Sequence, residues 1–135
     1  MECRFLLDTN ICIYIRRRHP SAVAARFREL EAGEAALSVI TYGELLYGIE
    51  KSSVRVRALR ELEEIAGLIQ VLPLPVGAAH IYGEIRQALQ AKGQMIGGND
   101  VWIAAHAKAQ GLILVTNNER EFKRVQGLKI ENWIN

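Results

Sequence analysis

Aspartate is almost missing from this chain. Of its 15 acidic residues only Asp8 and Asp100 are aspartates, and all the others are glutamates. Cysteine is nearly as scarce: Cys3 and Cys12 are the two present, too few for a disulfide framework and not in a zinc-type spacing. They read as small buried hydrophobes of a reducing, cytoplasmic protein. No apolar run approaches the roughly 18 residues that a membrane span requires. The N-terminus sets Glu2 and Arg4 beside a three-residue apolar run, which is not a secretory signal. The net charge of +2 is too small to argue for a nucleic-acid partner by itself. Proline is confined to Pro20, Pro73 and Pro75, and no repeat or low-complexity stretch occurs.

What is present is an ordinary globular composition, 50% hydrophobic and 24% charged. At 135 residues the expectation is one domain, 1–135. Short apolar runs at 3–7, 35–39, 68–72, 112–115 and 128–130 predict strands. Helices are predicted from Thr9 or Asn10 to Arg18, stopped by Pro20, and over 22–32 with Ser21 as N-cap and Gly33 closing. Others are predicted from a Thr41–Glu44 capping box to about Glu50, over 54–66 after a Ser52 or Ser53 cap, over 77–91 and over 100–110, with a helical turn at 117–122. Strands alternating with helices, each strand apolar on both faces, predict a three-layer α/β/α sandwich with a mostly parallel central sheet. Functional groups in such sheets gather at the carboxyl ends of the strands.

The aspartates fit that edge. Asp8 ends the run Phe5-Leu6-Leu7, and Asp100 follows Gly97-Gly98-Asn99 and opens a helix. Glu44 and Glu121 also follow a strand and precede or open a helix. Each of the four has a local explanation as a helix N-terminal acid. Glu44 pairs on paper with Thr41, Glu121 with Asn118, and Glu119 with Thr116. Taken together they have another reading. Four carboxylates in one place repel one another, and Mg²⁺ or Mn²⁺ removes that penalty while polarising a phosphoryl oxygen and activating water. The short Asp8 and Asp100 side chains are then the direct ligands. Glu44 ligates directly or through water, and Glu121 orients an outer water or a second ion. Thr9, Thr116 and Asn117 stand where they can hydrogen-bond the carboxylates or the attacking water.

Other chemistries lack their residues. There is no P-loop, no GxGxxG after the first strand, no second aspartate after Asp8-Thr9 and no Gly-x-Ser-x-Gly elbow. His19, His80 and His106 have no partner at metal-ligand spacing, and His106 reads as a packing or surface residue.

The segments Phe5-Leu6-Leu7-Asp8-Thr9-Asn10, Ser38-Val39-Ile40-Thr41-Tyr42-Gly43-Glu44-Leu45, Tyr47-Gly48-Ile49-Glu50-Lys51-Ser52, Gly97-Gly98-Asn99-Asp100 with Ile103-Ala104-Ala105-His106-Ala107, Leu114-Val115-Thr116-Asn117-Asn118 and Arg120-Glu121-Phe122 occur in order along the whole chain. With the tail Gly127-Leu128 and Glu131-Asn132-Trp133, the chain resembles the PIN-domain ribonucleases, specifically the VapC toxins of type II toxin–antitoxin systems. Trp102 departs from the smaller aliphatic residue more usual there. The resemblance implies a PIN fold and metal-dependent endonucleolytic cleavage of structured RNA, above all transfer RNA, that inhibits translation. It puts Asp8, Glu44 and Asp100 at the first three family acids and Glu121 at the fourth, with Glu119 as the alternative. It also implies a VapB-like antitoxin that docks a C-terminal segment across the acids, and a homodimer. Arg16, Arg17, Arg18, Arg86 and Lys92 are the candidates for holding RNA phosphates. The alternatives are a PIN scaffold that binds RNA or antitoxin without cutting, and a housekeeping RNA-processing nuclease.

Overall fold

The computed structural model describes residues 2–134. Five strands, β1 (Phe5–Leu7), β2 (Ala35–Ser38), β3 (Gln70–Leu72), β4 (Ile113–Val115) and β5 (Ile130–Glu131), form one sheet of order β3-β2-β1-β4-β5. Every pairing is parallel. The central strand is buried at all three positions, as its uninterrupted apolar run demands. Phe5 stands opposite Ala35 and Ile113, and Leu7 opposite Val115.

Alternate side chains enter opposite layers. Phe5, Leu7, Ala35, Leu37 and Val115 share one core with Ile11, Leu45, Leu62 and Trp133. Leu6, Ala36 and Leu114 share the other with Ile85, Leu89, Ile103 and Phe122. Helices α1 (Thr9–Arg17), α2 (Ser21–Arg28), α3 (Val39–Glu50) and α4 (Arg55–Leu68) supply the first core, while α5 (Gly77–Ala91), α6 (Gly98–Ala109) and the short α7 (Glu119–Phe122) supply the second. The expected α/β/α sandwich is present, and its sheet is wholly parallel. Among the described residues no helix is long and apolar enough to cross a membrane.

Several expected boundaries move, for local reasons. The Thr41–Glu44 capping box does not form. Helix α3 starts three residues earlier because Ser38, the last residue of β2, is its N-cap and accepts a hydrogen bond from the Ile40 N–H at 3.1 Å. Thr41 is buried in the first turn, and its hydroxyl has no partner among the described residues. Helix α1 is capped by Asp8 itself rather than by Thr9 or Asn10. Helix α2 begins at Ser21 after a Pro20 cap and stops at Arg28, well before Gly33. Ser52 accepts from the Val54 N–H at 3.0 Å, and the helix behind it runs to Leu68, which shortens β3 to Gln70–Leu72.

His106 belongs to the interior. Its Nε2 lies 2.8 Å from Gln110 Oε1 and its Nδ1 lies 2.9 Å from Ser38 Oγ. Gln110 Oε1 can only accept, so Nε2 carries the proton and the Ser38 hydroxyl donates to Nδ1. Burial holds the imidazole below its ordinary pKa, which favours this neutral form. The side chain thereby joins α6 to the N-cap of α3.

Trp133 closes the first core from the C-terminal tail. It is 4% exposed and packs edge-on against Phe5, with ring centroids 5.4 Å apart. Replacing Trp133 by Ala is expected to cost about 3–5 kcal/mol of stability, the range for large-to-small aromatic substitutions in cores. Urea unfolding followed by circular dichroism measures it, and a loss under about 1 kcal/mol contradicts the packing described.

Candidate active site

The four acids arrive on four different elements at one edge. Asp8 directly follows β1, Glu44 lies in the helix that directly follows β2, Asp100 is in the first turn of α6, and Glu121 is in α7 beyond β4. The Asp8 N–H continues the ladder by donating to Val115 O at 2.9 Å, so the carboxylate is held by the sheet itself.

A chain of hydrogen bonds links three of these carboxylates. Asp8, 6% exposed, accepts from the Thr9 N–H at 2.8 Å on Oδ1 and from the Thr116 hydroxyl at 2.8 Å on Oδ2. Thr9 turns its own hydroxyl to Glu44 Oε1 at 2.6 Å, and Asn99 Nδ2 donates to Glu44 Oε2 at 3.4 Å. On the other side Thr116 Oγ1 accepts from the Asn118 N–H at 2.9 Å, and Asn118 Nδ2 donates to Glu121 Oε2 at 3.2 Å. The chain therefore runs Glu44, Thr9, Asp8, Thr116, Asn118, Glu121. Asp100 takes no part in it among the described residues, and its carboxyl leans toward Gly97, where a Cβ would lie 3.4 Å from Oδ2.

The electrostatics are those of uncompensated charge. Burial pushes the Asp100 carboxyl up to about 6, and the negative charges of Asp8, Glu44 and Glu121 add to the shift. Asp8 is also raised. Its burial outweighs the opposing hydrogen bonds from Thr116 and Thr9, and Glu44 contributes repulsion. Among the described residues none of the four acids forms a salt bridge. An all-oxygen donor set that forms no salt bridge among the described residues suits a hard divalent cation. It is not a ready-made cage, since no three His, Cys, Asp or Glu groups converge as a metal-holding cluster among the described residues. Asp8, Glu44 and Glu121 are instead committed to the hydrogen bonds above.

The expected helper residues divide. Thr9 and Thr116 contact the acids as expected. Asn117 does not: its Nδ2 donates to the Tyr14 hydroxyl at 3.0 Å, and its neighbour Asn118 holds Glu121. The Glu119–Thr116 pairing is absent. Glu119 accepts from Asn132 at 3.3 Å, so Glu121 is the acid of this pair that faces Asp100. Asn99 was visible as a helix-start residue but not as a Glu44 donor, because that contact spans 55 residues.

The candidate phosphate-holding residues do not form one surface. Arg16 and Arg17 line a cavity with Thr9 and Glu44. Arg18 ends α1 in the left-handed conformation, with φ of 58°, and lines a second cavity with Arg16, Ala24 and Phe27. Arg86 donates to the Tyr82 hydroxyl at 2.8 Å, and Tyr82 stacks on Trp102 at 3.9 Å between ring centroids. Trp102 thus joins α6 to α5. Lys92 lines a third cavity with Lys108 and Arg124.

The PIN domain family model matches residues 5–128. Ribonuclease VapC2 of Haemophilus influenzae is 45% identical over 132 residues, spanning 97% of this chain and 98% of that protein. A tRNA(fMet)-specific endonuclease VapC of Shigella flexneri is also 45% identical, over 96% of this chain and 98% of its own length. Among solved structures, VapBC2 from Rickettsia felis bound to a promoter DNA fragment superposes with a TM-score of 0.90 at 36% identity, over 98% of this chain and 99% of that one. DNA-bound VapBC from Salmonella typhimurium gives 0.90 at 41% identity, over 97% and 98%.

Asp100 carries a pH prediction for the metal-free protein. Its folded pKa lies above the ordinary carboxylate value, so the folded state binds the extra proton first. The destabilisation it causes is fully present above about pH 6 and is relieved as pH falls from there toward 4. Asp100→Asn is expected to stabilise the metal-free protein at pH 7.5 by on the order of 1–2 kcal/mol, allowing for solvent screening at a half-buried group. The gain should shrink near pH 5. Urea unfolding of both proteins in EDTA at the two pH values tests this, and equal stability at pH 7.5 refutes it.

Proposed function

This chain belongs to the PIN-domain family of VapC ribonucleases, and on that premise we propose that it is a metal-dependent endoribonuclease toxin whose substrate is transfer RNA. The observation that carries the reading is the placement of Asp8, Glu44, Asp100 and Glu121 at the carboxyl edge of the sheet, where burial first, and then the charges of the other three, raise the Asp100 pKa. The relatives named tRNA(fMet)-specific endonuclease support the substrate class, and those solved as VapBC complexes support an antitoxin partner. That partner silences the enzyme by laying a segment across the acids, and the toxin itself pairs as a homodimer.

Asp8 and Asp100 would hold a Mg²⁺ or Mn²⁺ ion directly, with Glu44 assisting directly or through water and Glu121 orienting water. Such an ion, when bound, would supply Lewis acidity for a phosphoryl oxygen and make water more acidic. The protein's own groups do the rest. The Asp8 backbone is fixed by the sheet, and Thr9 and Thr116 aim the Asp8 oxygens. Thr9 also fixes one oxygen of Glu44 while Asn99 holds the other. Asn118 turns Glu121 toward the same space. Hydrolysis then breaks a phosphodiester P–O bond of the RNA, with water as nucleophile and the released ribose oxygen taking up a proton.

Asp8→Asn and Asp100→Asn are each expected to lower cleavage of a transfer RNA transcript at least about a hundredfold with the fold retained, the scale of losing one aligned electrostatic group. Thr116→Val is expected to cost about ten- to a hundredfold, as for residues that orient ligands. Cleavage measured by gel, with circular dichroism as the folding control, decides the matter. Undiminished cutting by either folded aspartate variant removes that residue from the site, and cutting in excess EDTA rejects the metal. Mapping RNA ends after brief induction in cells, against Asp8→Asn, identifies the RNA and the bond.

A further inference from the structure

We infer that the cavity between α1, α3 and α4 is a docking pocket for one nucleotide of the RNA beside the bond that is cut, and that Gly48 keeps it open. This rests on the nuclease reading above and adds a substrate subsite to it. The cavity holds about 400 Å³, within the range of small-molecule sites. Thr9 and Glu44 stand in its wall, and Thr9 joins Glu44 to Asp8 by hydrogen bonds, so the cavity adjoins the Glu44 side of the acid group.

Its charges suit a phosphate. Arg16, Arg17 and Arg57 line it, against Glu44 and Glu61. Arg57 lies 3.2 Å from Glu61, and Arg16 reaches the same carboxylate at 4.0 Å. Arg17 is exposed and forms no salt bridge among the described residues. Partly exposed pairs of this kind contribute little stability. An entering phosphate can therefore replace Glu61 as the partner of these guanidinium groups, whose planar donors match phosphate oxygens. Ile13, Leu45 and Ala58 give the cavity an apolar floor for the ribose and base. A partner's peptide segment crossing the acids would border this cavity too, but the three guanidinium groups in its wall favour an occupant that carries phosphate.

Gly48 gives the independent sign. It sits inside α3 one turn after Glu44, hence on the same face. Glycine weakens a helix interior relative to alanine, and a left-handed backbone or a close neighbour is the usual reason for one. Neither applies, since Gly48 is not in the left-handed region and a Cβ there meets no atom within 4 Å. Gly43, Gly67 and Gly83 share that freedom, but of the four Gly48 alone lines this cavity. A side chain at this position leans toward the helix N-terminus, over the turn that carries Glu44. Its absence leaves that space open.

The test is steady-state cleavage of an initiator transfer RNA transcript by wild type, Gly48→Ala, Gly48→Leu, Arg17→Gln, Arg57→Gln and, as control, Arg28→Gln, which lies outside the cavity. Gly48→Leu is expected to lose at least about tenfold in kcat/KM, mainly through KM, the size of one lost specific contact. Gly48→Ala should be more heat-stable than wild type yet slower, a split that a purely structural glycine does not produce. Each arginine variant should flatten the salt dependence of log kcat/KM by about one unit, and Arg28→Gln should not. Binding of the same transcript in an Asp100→Asn background reads the pocket without cleavage. A wild type that binds but does not cut therefore overturns the nuclease reading and not the pocket. Gly48→Leu that binds and cuts like wild type overturns the pocket. So does Gly48→Leu that cuts normally but no longer binds the antitoxin, which would assign the cavity to the protein partner. If Gly48→Leu does not fold, Gly48→Ala and the arginine variants decide, and wild-type behaviour in all three overturns the pocket.

Discussion

A carboxylate buried at the end of the central strand is the constraint on which the rest of this site depends. Phe5, Leu6 and Leu7 are fully buried, and the next residue is an acid with 6% of its surface exposed. Burying an ionised carboxylate without a cation costs far more than one hydrogen bond returns. The protein answers with donors to both oxygens, from the Thr9 N–H and the Thr116 hydroxyl, and the upward shift at Asp8 says that they do not fully offset the burial. The surroundings follow from this. Helix α1 starts where it does because Asp8 caps it. Thr116 must be buried at the end of β4 to reach Asp8, and its remaining acceptor capacity organises Asn118, which in turn orients Glu121.

The parallel sheet explains why four acids from distant parts of the chain share that neighbourhood. With β1 between β2 and β4, the carboxyl ends of all three strands emerge side by side. No loop separates β2 from α3, so Glu44 rides a helix anchored at that edge. Helix α6 must descend to the opposite edge before β4 can begin, and Gly111, with φ of 64°, makes that turn. Its first turn, with Asp100, is therefore left at the carboxyl edge. His106, farther along the same helix, reaches back to Ser38 and ties the two acid-bearing helices together. Burial, with the repulsion of the other acids added, raises the Asp100 carboxyl, whose side chain has no hydrogen bond among the described residues.

The fold was legible because its signals are local. Five apolar runs too short for helices, alternating with helical stretches, point to a buried parallel sheet, and the two aspartates stand out by composition alone. Thr9, Thr116 and the Asn118–Glu121 pair were also within reach, because each lies a few residues from an acid. What stayed hidden was long-range or degenerate. A Thr-x-x-Glu pattern marks a helix start only when no better cap precedes it. Here Ser38 precedes it, so Glu44 is free to take donors 35 and 55 residues away. The run Arg16-Arg17-Arg18 reads as one cluster, yet Arg17 lines the cavity beside Glu44 and Arg18 lines another, with Arg16 reaching both. Asn117 and Asn118 are indistinguishable until β4 fixes which of them faces Tyr14.

Helix α3 is where local rules fail most often, and the failures form a pattern. Two glycines interrupt it, and its buried Thr41 hydroxyl has no partner among the described residues, a defect of roughly 1–3 kcal/mol. A helix built this way draws little of its stability from intrinsic propensity. It is held instead by the packing of Leu45 and Ile49 into the first core and by the Ser38 cap that His106 engages from α6. The position of Glu44 is therefore a property of the assembled fold. A helix that formed early and independently could be ideal in sequence. One that must carry an acid, a buried hydroxyl and a vacant face next to each other cannot, and local inconsistency concentrates where function competes with stability.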